Sequence, residues 1–161
     1  MLYFMSNPLE RVSRFVKQYD PAIEPLIFQE KLNTTEEAAQ ALGVEAGQIA
    51  KSILFRCSDR YGLFVAAGDV RIHPKRVKKC LEGGQPKMAS PDEVAEITGF
   101  QVGAVCPFAL QTEVPVFVDS SLERFPVVYT AAGIAESLLP VSFQALVEMT
   151  GARVIDAQSA E

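Results

Sequence analysis

Lys51 interrupts the apolar run Ile49-Ala50-Lys51-Ser52-Ile53-Leu54-Phe55. An ammonium set into a strand that faces an interior needs a carbonyl or an anion to meet it. The same pattern also fits a lysine that reaches solvent from the outer face of the strand along its apolar stem. The second chemical feature is Gly103-x-x-x-Pro107. A glycine lets backbone approach a ligand closely and a proline stiffens the loop, so successive N–H groups can converge on one oxygen. An ordinary rigid turn fits these residues equally well.

Other chemistries lack their residues. There is no Gly-x-Ser-x-Gly elbow, no phosphate-cradling Gly-rich lysine loop and no dinucleotide fingerprint. The lone histidine, His73, sits among lysines. Cys57, Cys80 and Cys106 are widely spaced with no Cys-x-x-Cys pair, which argues against a disulfide framework and against zinc. Cys106 lies inside the glycine–proline loop, but no imidazole accompanies it to make it a nucleophile. Neither a metal nor a cofactor is expected.

These residues need elements to position them. Apolar residues at helical spacing behind Ser6-Asn7-Pro8 predict a helix over 7–19. Thr34 stands three residues ahead of Glu37, and Ser90 three ahead of Glu93 with Pro91 between. Each is a capping signature that opens a helix, closed at Gly43 and at Thr98-Gly99. Segments 49–56 and 62–68 read as a hairpin around Ser58-Asp59-Arg60-Tyr61. A basic helix is expected over 73–81, strands over 114–118 and 126–130, a helix over 143–149 and a short strand over 153–155. Interleaved helices and strands with hairpins predict an α/β or α+β domain with a mixed sheet.

A chain of 161 residues with 48% hydrophobic and 22% charged residues suits one domain over 1–161, with 1–6 as a flexible extension. No stretch approaches the roughly 20 apolar residues of a membrane span. The opening Met1-Leu2-Tyr3-Phe4-Met5 lacks a basic leader and a cleavage site, so the cytoplasm is the expected compartment. Charge is uneven. Arg71, Lys75, Arg76, Lys78, Lys79 and Lys87 stand against Glu82 within 71–88, a net +5, which leaves −10 for the remainder of a chain of net −5. Such a patch can dock phosphates without general stickiness toward nucleic acid, DNA included, or can be a solvated helix face.

In order along the chain, several motifs resemble the YbaK/prolyl-tRNA synthetase insertion-domain family. They are Thr34 with its Glu-Glu-Ala-Ala helix, Lys51 at the head of an apolar strand, Ala89-Ser90-Pro91-Asp92-Glu93-Val94, Thr98-Gly99, Gly103-x-x-x-Pro107-Phe108 and Val118-Asp119. The resemblance covers about 28–156. It implies hydrolysis of the ester joining a wrong amino acid to tRNA, most often tRNA for proline carrying alanine, cysteine or another small residue. It also implies a curled, barrel-like mixed sheet surrounded by helices. By the same resemblance Lys51 matches the essential lysine and Gly103 the catalytic loop. Thr34, Ser52, Ala104, Val105, Cys106, Pro107, Phe108, Ala131 and Gly133 fall on substrate-binding positions. Relatives commonly carry glycines where Ala104 and Ala109 stand, and no acidic group replaces the one that cysteine-directed members have later in the chain.

The implied partners are mischarged tRNA and prolyl-tRNA synthetase, with Arg71, Lys75, Arg76, Lys78 and Lys79 toward the acceptor-stem phosphates. An aminoacyl ester is already activated, so loop N–H groups on the carbonyl oxygen and Lys51 on the carbonyl or a phosphate suffice without a triad. A non-catalytic module that holds a tRNA end or a small ligand fits the same residues.

Overall fold

The computed structural model describes residues 7–160, and the expected N-terminal extension lies outside them. Helix α1 (Pro8–Tyr19) opens where Asn7 accepts from the Glu10 N–H and Pro8 occupies the first turn. Strand β1 (Leu26–Ile27) follows, then α2 (Thr35–Leu42) and a 3-10 turn (Ala46–Gln48) that leads into the hairpin β2 (Ala50–Cys57) and β3 (Arg60–Ala67). Next come α3 (Pro74–Cys80), β4 (Pro86–Met88), α4 (Pro91–Thr98) and β5 (Val116–Asp119). A 3-10 turn (Ser120–Arg124), β6 (Val128–Thr130), β7 (Ser137–Val141), α5 (Phe143–Thr150) and β8 (Arg153–Ile155) complete the chain.

The hairpin carries the larger sheet. Its strand order is β4-β2-β3-β5-β8, antiparallel through β4, β2 and β3 and parallel from β3 to β8. Central β3 has both faces covered, which is why Leu63 to Ala67 reads as a continuous apolar run. Leu63 and Val65 face the main core with Val12 and Val16 of α1, Val94 of α4 and Leu146 of α5. Phe64 faces the other way, stacks on Phe117 with centroids 4.8 Å apart, and meets Val77 of α3.

The second sheet, β1-β7-β6, is antiparallel. The mixed α/β class is therefore found, but the barrel-like curl is not. Both sheets are open, and between them stands one isolated parallel bridge, Ile49 to Tyr129. Closing the larger sheet would require β4 to pair with β8, and these short strands sit at opposite edges with three strands between them.

Candidate functional site

Lys51 is the second residue of β2, opposite Ala66 of β3. The side chain is half-buried, and its Nζ donates to the Val70 carbonyl at 2.8 Å. That carbonyl belongs to the turn that leaves β3, closed by the Val70 N–H on Ala67 O at 3.1 Å. Beside it, the Asp69 carboxyl is held below its ordinary range. Hydrogen bonds from Arg124 are the main cause, with the Lys51 charge contributing less.

Three further segments close a cavity of about 180 Å³ over Lys51. Thr34 caps α2, its Oγ1 accepting from the Glu37 N–H at 3.0 Å. Glu37 in turn accepts from the Asn33 N–H at 2.8 Å, so this carboxylate reaches one residue beyond the cap. The chain before Thr34 is tied to the β6–β7 connection, where the Phe28 and Leu32 N–H groups donate to Glu136 O and Ala135 O. Gly103 is the third residue of a turn in which the Ala104 N–H donates to Gln101 O at 2.9 Å. Its φ of +93° is one that an L side chain rarely adopts, which accounts for glycine here.

Among the residues assigned to the site by resemblance, Thr34, Lys51, Ser52, Gly103, Val105 and Ala131 line this cavity. The Ser52 hydroxyl oxygen is buried and has no hydrogen-bond partner among the described residues. Ala104, Cys106, Pro107, Phe108 and Gly133 do not line it. Along the loop, Val105 takes part in the cavity wall while its neighbours Ala104 and Cys106 are buried away from it. Phe108 stacks on Phe15 of α1 at 6.2 Å. Pro107 belongs to a separate groove with Arg11 and Phe15. A Cβ on Gly133 would lie 2.9 Å from Pro8 O, so its lack of a side chain serves packing against α1. Burial pushes the Cys106 thiol up to about 12, which leaves it protonated and unreactive at neutral pH.

Several wall residues were not anticipated: Leu32, Asn33, Ala38, Ile49, Ser137 and Leu138. Asn33 and Ile49 each lie within two residues of an anticipated position, a signal that was available. Ser137 and Leu138 lie on β7, which nothing in the sequence marked as a strand. Ser137 Oγ accepts from the Ala132 N–H at 3.0 Å and donates to Ile134 O at 2.7 Å, so this hydroxyl is occupied in shaping the β6–β7 connection.

The basic segment begins one residue after the acceptor of Lys51. Arg71, Lys75, Lys78 and Lys79 are exposed and Arg76 is half-buried. His73 caps α3, its Nδ1 accepting from the Lys75 N–H at 3.1 Å. Among the described residues, no three His, Cys, Asp or Glu side chains gather as a metal site, and no helix is long and apolar enough to cross a membrane.

Comparison with known proteins places the chain in a family. A family model described as an aminoacyl-tRNA editing domain matches residues 29–149. The uncharacterized protein YwhH of Bacillus subtilis (strain 168) is 36% identical over 147 residues, which is 91% of this chain and 93% of that protein. A proline–tRNA ligase of Bacillus licheniformis is 35% identical over 92 residues, 57% of this chain but 16% of the ligase. A crystal structure described as a "putative trans-editing enzyme for prolyl tRNA synthetase" superposes with a TM-score of 0.88 at 30% identity, covering 95% of this chain and 98% of that one. With most of its length matched in sequence and in fold, the chain belongs to the aminoacyl-tRNA editing domain family.

Proposed function

We propose that the protein is a trans-editing deacylase that hydrolyses the ester between a small, wrongly attached amino acid and tRNA, with tRNA for proline as the carrier. The observation that carries this reading is the convergence of Lys51, Thr34 and Gly103, from three separate segments, on one cavity of about 180 Å³. That volume is well below the roughly 300–1,000 Å³ of sites for drug-sized ligands. It suits the acyl part of a small aminoacyl ester and leaves the nucleotide outside.

In this reading N–H groups of the Gly103 turn hold the ester carbonyl oxygen as negative charge develops on it. One well-aimed donor of this kind is worth about 3 kcal/mol. The Lys51 ammonium polarises the carbonyl or meets the phosphate of the terminal adenosine. Water, or the neighbouring ribose hydroxyl, does the proton work. Ala38, Ala131 and Leu138 limit the size of the acyl group, and the site acts as the second sieve of an editing pair by excluding the correct, bulkier residue. Arg71, Lys75, Arg76, Lys78 and Lys79 meet acceptor-stem phosphates, and prolyl-tRNA synthetase is the partner that supplies the mischarged tRNA in the cytoplasm. No cofactor is required by this chemistry.

The test is the substrate profile. tRNA for proline charged in turn with alanine, cysteine, serine, threonine and proline is incubated with the protein. Removal of one or more small residues with proline spared supports the reading. Binding of the charged tRNAs without hydrolysis of any would replace it with a non-catalytic binding module.

A further inference from the structure

Asp69 lies in the chain directly before Val70, whose carbonyl holds Lys51 Nζ. Its charge reaches Lys51, yet Lys51 forms no ion pair with a carboxylate among the described residues. Both oxygens of the Asp69 carboxylate are instead taken by Arg124, with Nη1 to Oδ2 at 3.1 Å and Nη2 to Oδ1 at 2.8 Å. Arg124 is itself fixed from two sides. Its Nε donates to Ser121 O at 2.6 Å, and its guanidinium lies 4.9 Å from the centroid of the Phe125 ring. The fork is seated on bare backbone, since a Cβ on Gly47 would lie 2.9 Å from Asp69 Oδ2 and 3.0 Å from Arg124 Nη2.

Charge-assisted contacts between two ions are stronger than those between an ion and a neutral carbonyl. An unoccupied Asp69 carboxylate would therefore outcompete the Val70 carbonyl for the Lys51 ammonium. We infer that Arg124 is a positioning residue: by occupying Asp69 it keeps Lys51 out of an ion pair and available to the cavity. The fork is 43% and 46% exposed on its two sides, and pairs this exposed contribute little to folding. Its role is in deciding where Lys51 rests rather than in holding the domain together.

The inference rests on the deacylase reading only for its activity measurement, and the test has a second arm that does not. Wild type, Arg124→Gln, Asp69→Asn and the double variant are compared. The first readout is acylation of Lys51 by a limiting amount of acid anhydride, followed by mass spectrometry. Ion pairing stabilises the ammonium and slows this reaction. The second readout is deacylation of the best substrate, and unfolding midpoints verify that every variant is folded.

Arg124→Gln is expected to slow both reactions about tenfold, in the range of coupling between neighbouring charged groups. Adding Asp69→Asn restores both to within about twofold of wild type, because the competing carboxylate is gone. Arg124→Lys, which pairs with Asp69 without the fork, falls between. A merely structural fork predicts the opposite pattern, with the double variant at least as impaired as Arg124→Gln, and that result overturns the inference. So does a rate of Lys51 acylation indifferent to Arg124→Gln. If the wild type hydrolyses no charged tRNA, the deacylase reading falls and the acylation arm still decides the inference.

Discussion

Lys51 and Val70, 19 residues apart in the chain, are joined by one hydrogen bond of 2.8 Å from the ammonium to the carbonyl. An ammonium has three donors, so this contact fixes the direction of the side chain and leaves two N–H groups for a ligand. Arginine is longer, planar and fork-shaped and cannot reproduce that geometry. Lys51→Arg is therefore expected to lower the deacylation rate about a hundredfold, comparable with loss of one aimed donor. Its stability should change by no more than about 1.5 kcal/mol, the scale of one hydrogen bond. Urea titration beside the rate measurement checks both; retention of wild-type activity would place Lys51 outside the chemistry.

Cys106 lies between Gly103 and Pro107, and its burial argues against a nucleophilic role. Its Sγ is buried, accepts from the Phe108 N–H at 3.4 Å, and its thiol is raised to about 12. Native protein treated with iodoacetamide at pH 8 should leave Cys106 unmodified, and Cys106→Ala should retain deacylation once its folded fraction is accounted for. Inactivation that tracks labelling of Cys106 would reverse this conclusion.

Glu93 governs part of the acid stability. It accepts from Tyr61 Oη, from the Ser90 N–H at 2.8 Å, and pairs with Arg56 at 2.5 Å. Its carboxyl falls from 4.5 to about 2, with the Tyr61 hydrogen bond the largest cause. The depressed value means that the stabilisation is fully present above pH 4.5 and is lost as pH falls through the interval to about 2. Glu93→Gln should therefore lower stability at neutral pH and show a flatter decline across that interval. Equal slopes for the two proteins would contradict the assignment.

The exposed lysines of α3 give a salt-dependent prediction. Each cation that meets a phosphate contributes roughly 0.7–0.9 to the slope of log affinity against log salt. Replacing Lys75, Lys78 and Lys79 by glutamine should reduce that slope by about 2 and weaken tRNA binding, while cleavage at saturating tRNA stays close to wild type. An unchanged slope, measured by filter binding, would remove α3 from the tRNA interface.

What the sequence displayed was mostly local. The capping residues Asn7, Thr34 and Ser90 all accept the expected N–H groups, and the hairpin pairs Ala50 with Ala67 through to Cys57 with Arg60. The small sheet was hidden because its middle strand, β7, contains Pro140, a residue that normally argues against a central strand. Pro140 is tolerated because β1 pairs only with Ser137 and Leu138, so at Pro140 the strand has a neighbour on one side alone. The division into two open sheets was invisible for a related reason, since which strands pair depends on contacts remote in sequence.

The walls of the cavity were legible to the same degree. Lys51, Gly103 and Thr34 are conspicuous as a lysine in an apolar strand, a loop glycine and a helix cap. In the loop beyond Gly103 the motif names consecutive residues, whereas Val105 lines the cavity and Ala104 and Cys106 are buried away from it. Ala109, where the resemblance leads one to expect glycine, has a φ of +58°, a left-handed conformation usual for glycine. The Arg124–Asp69 fork spans 55 residues and has no signature in the sequence.

The most direct test of the central claim is a single-turnover measurement on tRNA for proline charged with alanine, comparing wild type, Lys51→Ala and no protein. Hydrolysis by wild type is expected well above the uncatalysed rate, with Lys51→Ala reduced about a hundredfold or more while its unfolding midpoint stays near that of wild type. Equal rates for wild type and a folded Lys51→Ala would contradict it.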